Sequence, residues 1–268
     1  MLNNVLAKTI FENRRSMIGW SIGMLAITLF VVLIYPVIRD TPEITDLLES
    51  YPETLLQIFG IDDIDTYTSP PGFLGVQLFS TYVPILFVIF GIGKGVAAIA
   101  GEERDQTLDL LMSNPISRSR VIWEKTGALA ALIAGLGAVL FVGVWLGGLL
   151  FDGWPGIYEL VSAALSSILL GLVFGFLALA AGATTGRRGL SVAVAAGVAV
   201  ATFLFQGIAP LDESLSFFEK LSPFFYFQDH KPLVNGIHWG HAAVLAALAA
   251  AFLGVAHWGF NRRDLGVS

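Results

Sequence analysis

The sequence predicts an all-α, polytopic membrane protein, and three observations carry that prediction. Six long, uncharged and mostly apolar stretches (residues 16–38, 66–93, 126–151, 160–186, 189–211 and 232–261) divide almost all of its 268 residues. A helix rises ~1.5 Å per residue and the hydrocarbon layer is ~30 Å thick, so about 20 apolar residues cross it. The composition agrees: 55% hydrophobic, 13% charged and a mean hydropathy of +0.74. The charges also segregate. Placing the N-terminus inside leaves Lys8, Arg14, Arg15, Lys94, Arg104, Arg118, Arg120, Lys125, Arg187, Arg188, Arg262 and Arg263 on the inner side, and only Arg39, Lys220 and Lys231 outside. Lys and Arg are retained on the cytoplasmic side during insertion, which predicts cytoplasmic N- and C-termini in the cell membrane.

The chain is read as one domain. Residues 1–15 form an amphipathic interfacial helix, with Leu2, Val5, Leu6 and Ile10 on one face and Asn3, Lys8, Glu12 and Arg15 elsewhere. Six membrane helices follow, at 16–38, 76–100, 126–150, 157–185, 189–209 and 241–260. The first has no small-residue cleavage site after it and is read as a retained span. The outer loop at 39–75 should hold a helix beginning at Thr41-Pro42-Glu43, where a hydroxyl, a proline and an early acid mark a helix start. A second should run from Pro52 to Phe59 and end at Gly60, and Pro70-Pro71-Gly72 should then turn the chain into the second span.

The third and fourth spans are joined by little more than Asp152-Gly153-Trp154-Pro155-Gly156, which makes them an antiparallel hairpin. Gly186-Arg187-Arg188-Gly189 is an equally tight inner turn. In the outer loop at 210–240, Leu211, Leu215, Phe218 and Leu221 keep helical spacing before Ser222-Pro223 and the run Phe224-Phe225-Tyr226-Phe227. Short apolar outer helices between spans five and six fit this pattern better than a solvated linker. Six glycine pairs at i, i+4 spacing, among them Gly91/Gly95 and Gly171/Gly175, permit close helix packing.

The polar segment that looks like machinery is residues 101–125. Leu108, Leu111 and Met112 share one helical face, with Glu102, Glu103, Asp105 and Asp109 largely off it. The acids fill the first turn, where the helix dipole favours them. Asn114-Pro115 ends this helix, because proline disfavours helical geometry at the residue before it. Ser117 can cap a second helix that carries Arg118, Arg120 and Lys125 into the third span. A helix–break–helix beneath the membrane offers a rigid surface to a cytoplasmic partner.

These residues resemble the type-2 (export) family of ABC transporter permeases. That family has an acidic pair, a Gly-Thr-Leu-Glu-Leu-Leu-Leu-like run, a Pro-(Ile/Val)-Ser-Arg step and a lysine entering the third span. Here stand Glu102-Glu103, Thr107-Leu108-Asp109-Leu110-Leu111, Pro115-Ile116-Ser117-Arg118 and Lys125. Gln106 replaces the usual glycine, which predicts a less sharply bent helix start. The resemblance implies that residues 101–125 are a coupling helix seated in a cleft of a separate ABC ATPase subunit, through Glu102, Glu103, Arg104, Thr107, Leu108, Leu111, Pro115 and Arg118. It further implies a dimer with a second permease copy or a paralogue, a transport path between the two, and outer helices that cap it. The chain would then be the membrane subunit of an exporter, with no catalytic residue or cofactor of its own and ATP bound by the partner subunit. Its other neighbour is the lipid bilayer; nucleic acid is not an expected partner.

Two other classes compete, an intramembrane hydrolase and a non-transporting scaffold. Glu102-Glu103 is similar to the paired glutamates of intramembrane CAAX-type proteases, but the arginine of Glu-Glu-x-x-x-Arg would fall at residue 106, a glutamine. His238 and His241 lack the glutamate of His-Glu-x-x-His, so no metal site is expected. Gly91-Ile92-Gly93-Lys94-Gly95 lacks the leading glycine and the Ser/Thr of a phosphate loop. Lys94 has two readings: it snorkels to the inner interface, or it faces a subunit interface and pairs with an acid near residues 101–125. Co-purification with an ATPase would separate a permease from a scaffold.

Overall fold

The computed structural model describes residues 4–52, 55–56, 60–61, 63–113, 115–208 and 219–263. Among these there is no strand, and six helices are long and apolar enough to cross a membrane. The elements are α1 (Val5–Arg39), α2 (Pro42–Glu49), α3 (Ile64–Thr68), α4 (Pro70–Arg104), α5 (Thr107–Met112), α6 (Arg118–Gly147), α7 (Ile157–Thr185), α8 (Arg188–Ile208), α9 (Pro223–Gln228), α10 (Pro232–Asn235) and α11 (Trp239–Arg262). The six spans are α1, α4, α6, α7, α8 and α11. Their ends separate into a basic end, which carries residues 101–125, and an acidic end.

The fourth long helix, α7, runs from Ile157 to Thr185. Helices α1 and α6 begin well before their apolar cores, at Val5 and Arg118, and α4 runs past its core to Arg104, because polar residues continue a helix once it is nucleated. The amphipathic start of the chain is the opening of α1 rather than a separate helix, since no break divides it from the first span. At 35 residues α1 is ~52 Å long, well beyond the ~30 Å hydrocarbon layer. Its first turn is anchored: Asn4 Oδ1 accepts the Ala7 N–H at 2.7 Å, and the Val5 and Leu6 N–H groups donate to Glu124 Oε2 at 2.5 and 3.2 Å.

Span two likewise starts early. Pro70 and Pro71 were expected to turn the chain; instead they form the first turn of α4, where no backbone N–H is needed, and Ser69 caps it by accepting the Gly72 N–H. Two stretches of α4, Gly75–Tyr82 and Ala97–Gly101, are wound as π-helix.

At the acidic end, α2 begins at Pro42 behind Thr41, as the sequence predicts. Most of the helix expected at 52–59 lies outside the described residues. Beyond it, Gly60 is left-handed (φ 78°) and the Ile61 N–H donates to the Leu56 carbonyl at 2.9 Å. Leu211, Leu215 and Phe218 also lie outside the described residues. The aromatic run after them forms α9, capped by Ser222, with α10 following.

The core sits on α7, which packs against α4, α6, α8 and α11, while α1 packs on α6. Lipid is as apolar as leucine, so packing inside a membrane depends on how closely backbones approach. Two of the predicted glycine pairs meet here. A Cβ on Gly91 would lie 2.5 Å from the Gly171 carbonyl oxygen, and one on Gly95 would lie 2.2 Å from that of Gly175. The α4–α7 contact therefore tolerates no side chain at these positions.

Candidate functional site

At the basic end, α4 runs out of its second π-helical stretch into Glu102-Glu103-Arg104 and then ends in a turn. The turn is made by Asp105 and Gln106, and Gln106 takes left-handed backbone (φ 56°). The expectation of a gentler bend is thus corrected. The bend is kept without a glycine, at a strain of ~1–2 kcal/mol for an L-residue. The Thr107 hydroxyl donates to the Glu102 carbonyl at 3.2 Å across the turn. Helix α5 follows, burying Leu108 completely and packing Leu111 and Met112 against the core, the face predicted from their spacing. Asn114 is outside the described residues. Pro115 is exposed, and the Ser117 hydroxyl caps α6 by accepting the Arg120 N–H at 3.3 Å.

The acidic pair faces inward. Glu102 is ion-paired to Lys125, whose side chain is only 3% exposed. Glu103 is ion-paired to Arg263, just beyond α11. Arg263 ties several elements together: its carbonyl oxygen accepts from Arg118 Nη1 at 2.6 Å, and its guanidinium lies over Gly186. Gly186 has φ 67° and ends α7; a Cβ there would overlap Arg263 Nη1 and crowd Glu103 Oε1. Glu124, which holds the start of α1, is also bridged to Arg120 at 2.7 Å. Glu102, Glu103 and Arg118 thus fasten residues 101–125 to α6 and to the end of α11. Arg104, Asp105, Gln106, Thr107, Pro115 and Arg120 form the exposed edge.

Lys94 turns toward α1 within the same chain. Its ammonium donates to Asn13 Oδ1 and Ser16 Oγ, both at 2.7 Å, beside a cavity of about 50 Å³ that Thr9, Glu12, Glu102 and Lys125 also line. Its nearest polar partners are neutral, whereas the sharper sequence reading gave it an acid.

Sequence reasoning missed Lys125 as an internal tie, and missed Glu124 and Arg263 altogether. The partners of Lys125 and Arg263 lie 23 and 160 residues away, so no local pattern marks them. Among the described residues no group of His, Asp and Glu is arranged to hold a metal ion. Both carboxylates of the acidic pair are already engaged by cations, which leaves neither poised to activate water.

A family model described as ABC-2 family transporter protein matches residues 3–265. No individual curated protein matches the sequence.

Proposed function

The chain belongs to the ABC-2 transporter family, and on that premise we propose that this transmembrane permease works as the membrane subunit of an exporter, driven by separate ATPase subunits that dock on the exposed edge of residues 101–125. The observation that carries the reading is the mounting of that edge. The acids before the turn are fastened by ion pairs to α6 and to the residue closing α11, the short amphipathic helix after it is held by buried Leu108, and an exposed polar rim lies beyond them. A surface held this way moves with the spans rather than by itself, which is what transmission of a push requires. The basic end is cytoplasmic in this reading. Two copies, or one copy and a paralogue, enclose the path, and α9 and α10 cap its far side.

The polar groups of the spans support an apolar or amphipathic cargo. Ser162, Ser166 and Thr202 donate to carbonyls of their own helices at 2.7–2.9 Å, and Gln206 donates to Glu219 at 3.2 Å. In the spans, Thr28 Oγ1 and Gln206 Oε1 are left without a hydrogen-bond partner, a small capacity for selecting a polar solute.

The test is reconstitution. The purified chain alone should not hydrolyse ATP, and with its ATPase it should form a stable complex. Arg104→Glu and Arg120→Glu reverse charge on the exposed edge and should weaken association, by ~2–5 kcal/mol for a contact that becomes buried. Asp46→Arg, at the acidic end, should leave association intact. Robust hydrolysis by the chain alone, or unchanged association of both edge variants, would overturn the reading.

A further inference from the structure

A cavity of about 140 Å³ lies at the acidic end, enclosed by α3, the first π-helical stretch of α4, and the short helices α9 and α10. It sits inside one chain, away from residues 101–125. Its walls are Ile61, Tyr67, Val76, Phe79, Phe227 and Leu233, nearly all buried. The polar residues of its lining include Asp63, Thr66, Ser80, Gln228 and Lys231.

Several features hold this space open. Winding α4 as π-helix over Gly75–Tyr82 widens that stretch, and π-turns within helices concentrate at functional sites. Gly75 contributes no side chain, and a Cβ placed there would meet nothing within 4 Å. Gln228 Nε2 donates to the Ser80 carbonyl at 3.2 Å, so α9 is pinned to the π-helical stretch rather than collapsed onto it. Asp63 caps α3, accepting the Thr66 N–H at 2.7 Å and its hydroxyl at 2.6 Å. Lys231 is held in left-handed backbone (φ 47°), strain of the kind that clusters at ligand clamps.

Size and chemistry then narrow the occupant. A cavity of ~150 Å³ has room for one benzene ring. Three aromatic walls, Tyr67, Phe79 and Phe227, offer ring faces and edges, which favour another ring over a flexible chain. A few polar groups beside an otherwise apolar chamber fix the orientation of whatever enters. We propose that this cavity binds a single-ring aromatic amphiphile, with the ring in the chamber and its polar substituent toward Asp63, Gln228 and Lys231. The site does not depend on the transport reading, and its test needs no ATPase.

The chain has no cysteine, so Val76→Cys places one thiol in the chamber wall. Leu29→Cys, on the exposed face of α1, controls for partition of reagents into the membrane. Relative to that control, benzyl methanethiosulfonate should modify the Val76→Cys chain about tenfold faster than the hexyl reagent does. Benzyl alcohol should protect the chamber thiol and leave the control thiol unprotected. Gly75→Leu, added to Val76→Cys, fills the chamber and should bring the benzyl rate down to the control rate, with Gly75→Ala intermediate. The protection experiment needs no filling variant, so it stands even if Gly75→Leu does not fold. Absence of protection, or an unchanged rate in a folded Gly75→Leu chain, would overturn the proposal. So would preference for the hexyl reagent, which would mark a pocket for a lipid tail.

Discussion

Lys125 shows how a charge is tolerated at the rim of a membrane protein. With 3% of its side chain exposed it has little access to bulk water, so its charge is balanced chiefly by Glu102. Removing one partner of a buried pair strands the other charge, at ~3–5 kcal/mol, whereas removing both is often neutral. Glu102→Gln should therefore lower the melting temperature markedly in detergent. Glu102→Gln combined with Lys125→Met should recover most of the loss, and additive losses would show that the two charges do not support one another. Glu103 pairs with the more exposed Arg263 (18%), so Glu103→Gln should cost less. The acidic pair was legible as a special feature of the sequence, but its direction was not. Acids in the first turn of an amphipathic helix read as a docking face, and only the arrival of Lys125 and Arg263 from other elements turns them inward.

At the scale of elements, periodicity and caps were the legible signals. Ser117 and Gly186 each mark a helix boundary where the structure has one, because a cap acts within its own turn, and Pro42 marks the start of α2 although the Thr41 side chain makes no capping bond. The Gln106 bend was not legible. A glutamine does not announce left-handed backbone, and burial of Leu108 on the far side of the turn enforces it. Gln106→Gly should relieve the strain and leave the melting temperature unchanged or higher, while the β-branched Gln106→Val should lose ~1–2 kcal/mol. A large loss with glycine would mean that the Gln106 side chain itself holds the turn. Glycine spacing was ambiguous in the same way, since six pairs share one pattern and only contact separates them. Gly95→Ala forces a methyl onto the Gly175 carbonyl and should cost ~1–3 kcal/mol. Gly23→Ala meets nothing within 4 Å and should be tolerated; equal tolerance of both would refute the close α4–α7 approach.

For the whole molecule, the six spans were the most legible feature, because the hydrocarbon layer imposes a length that each apolar run meets independently. Orientation follows from a different quantity. Twelve of the fifteen Lys and Arg residues stand in segments that share one side, most of them within ~15–20 residues of a span end, where the retention of positive charge acts. Acidic residues weigh little in that rule, so the eight acids between Asp40 and Asp65 neither support nor oppose it. The structure supplies surface positions at both ends that make the orientation measurable: Asp46 and Asp229 are exposed at the acidic end, and Arg187 is exposed in the turn at the basic end. In the cysteine-free chain, Asp46→Cys and Asp229→Cys should react with a membrane-impermeant thiol reagent in intact cells. Arg187→Cys should react only after the membrane is opened. Each removes or alters a single exposed charge and leaves the balance of basic residues almost unchanged, so the probes should not redirect insertion. Labelling of Arg187→Cys from outside, with Asp46→Cys protected, would place residues 101–125 on the wrong side for a cytoplasmic ATPase and remove the basis for coupling at that end.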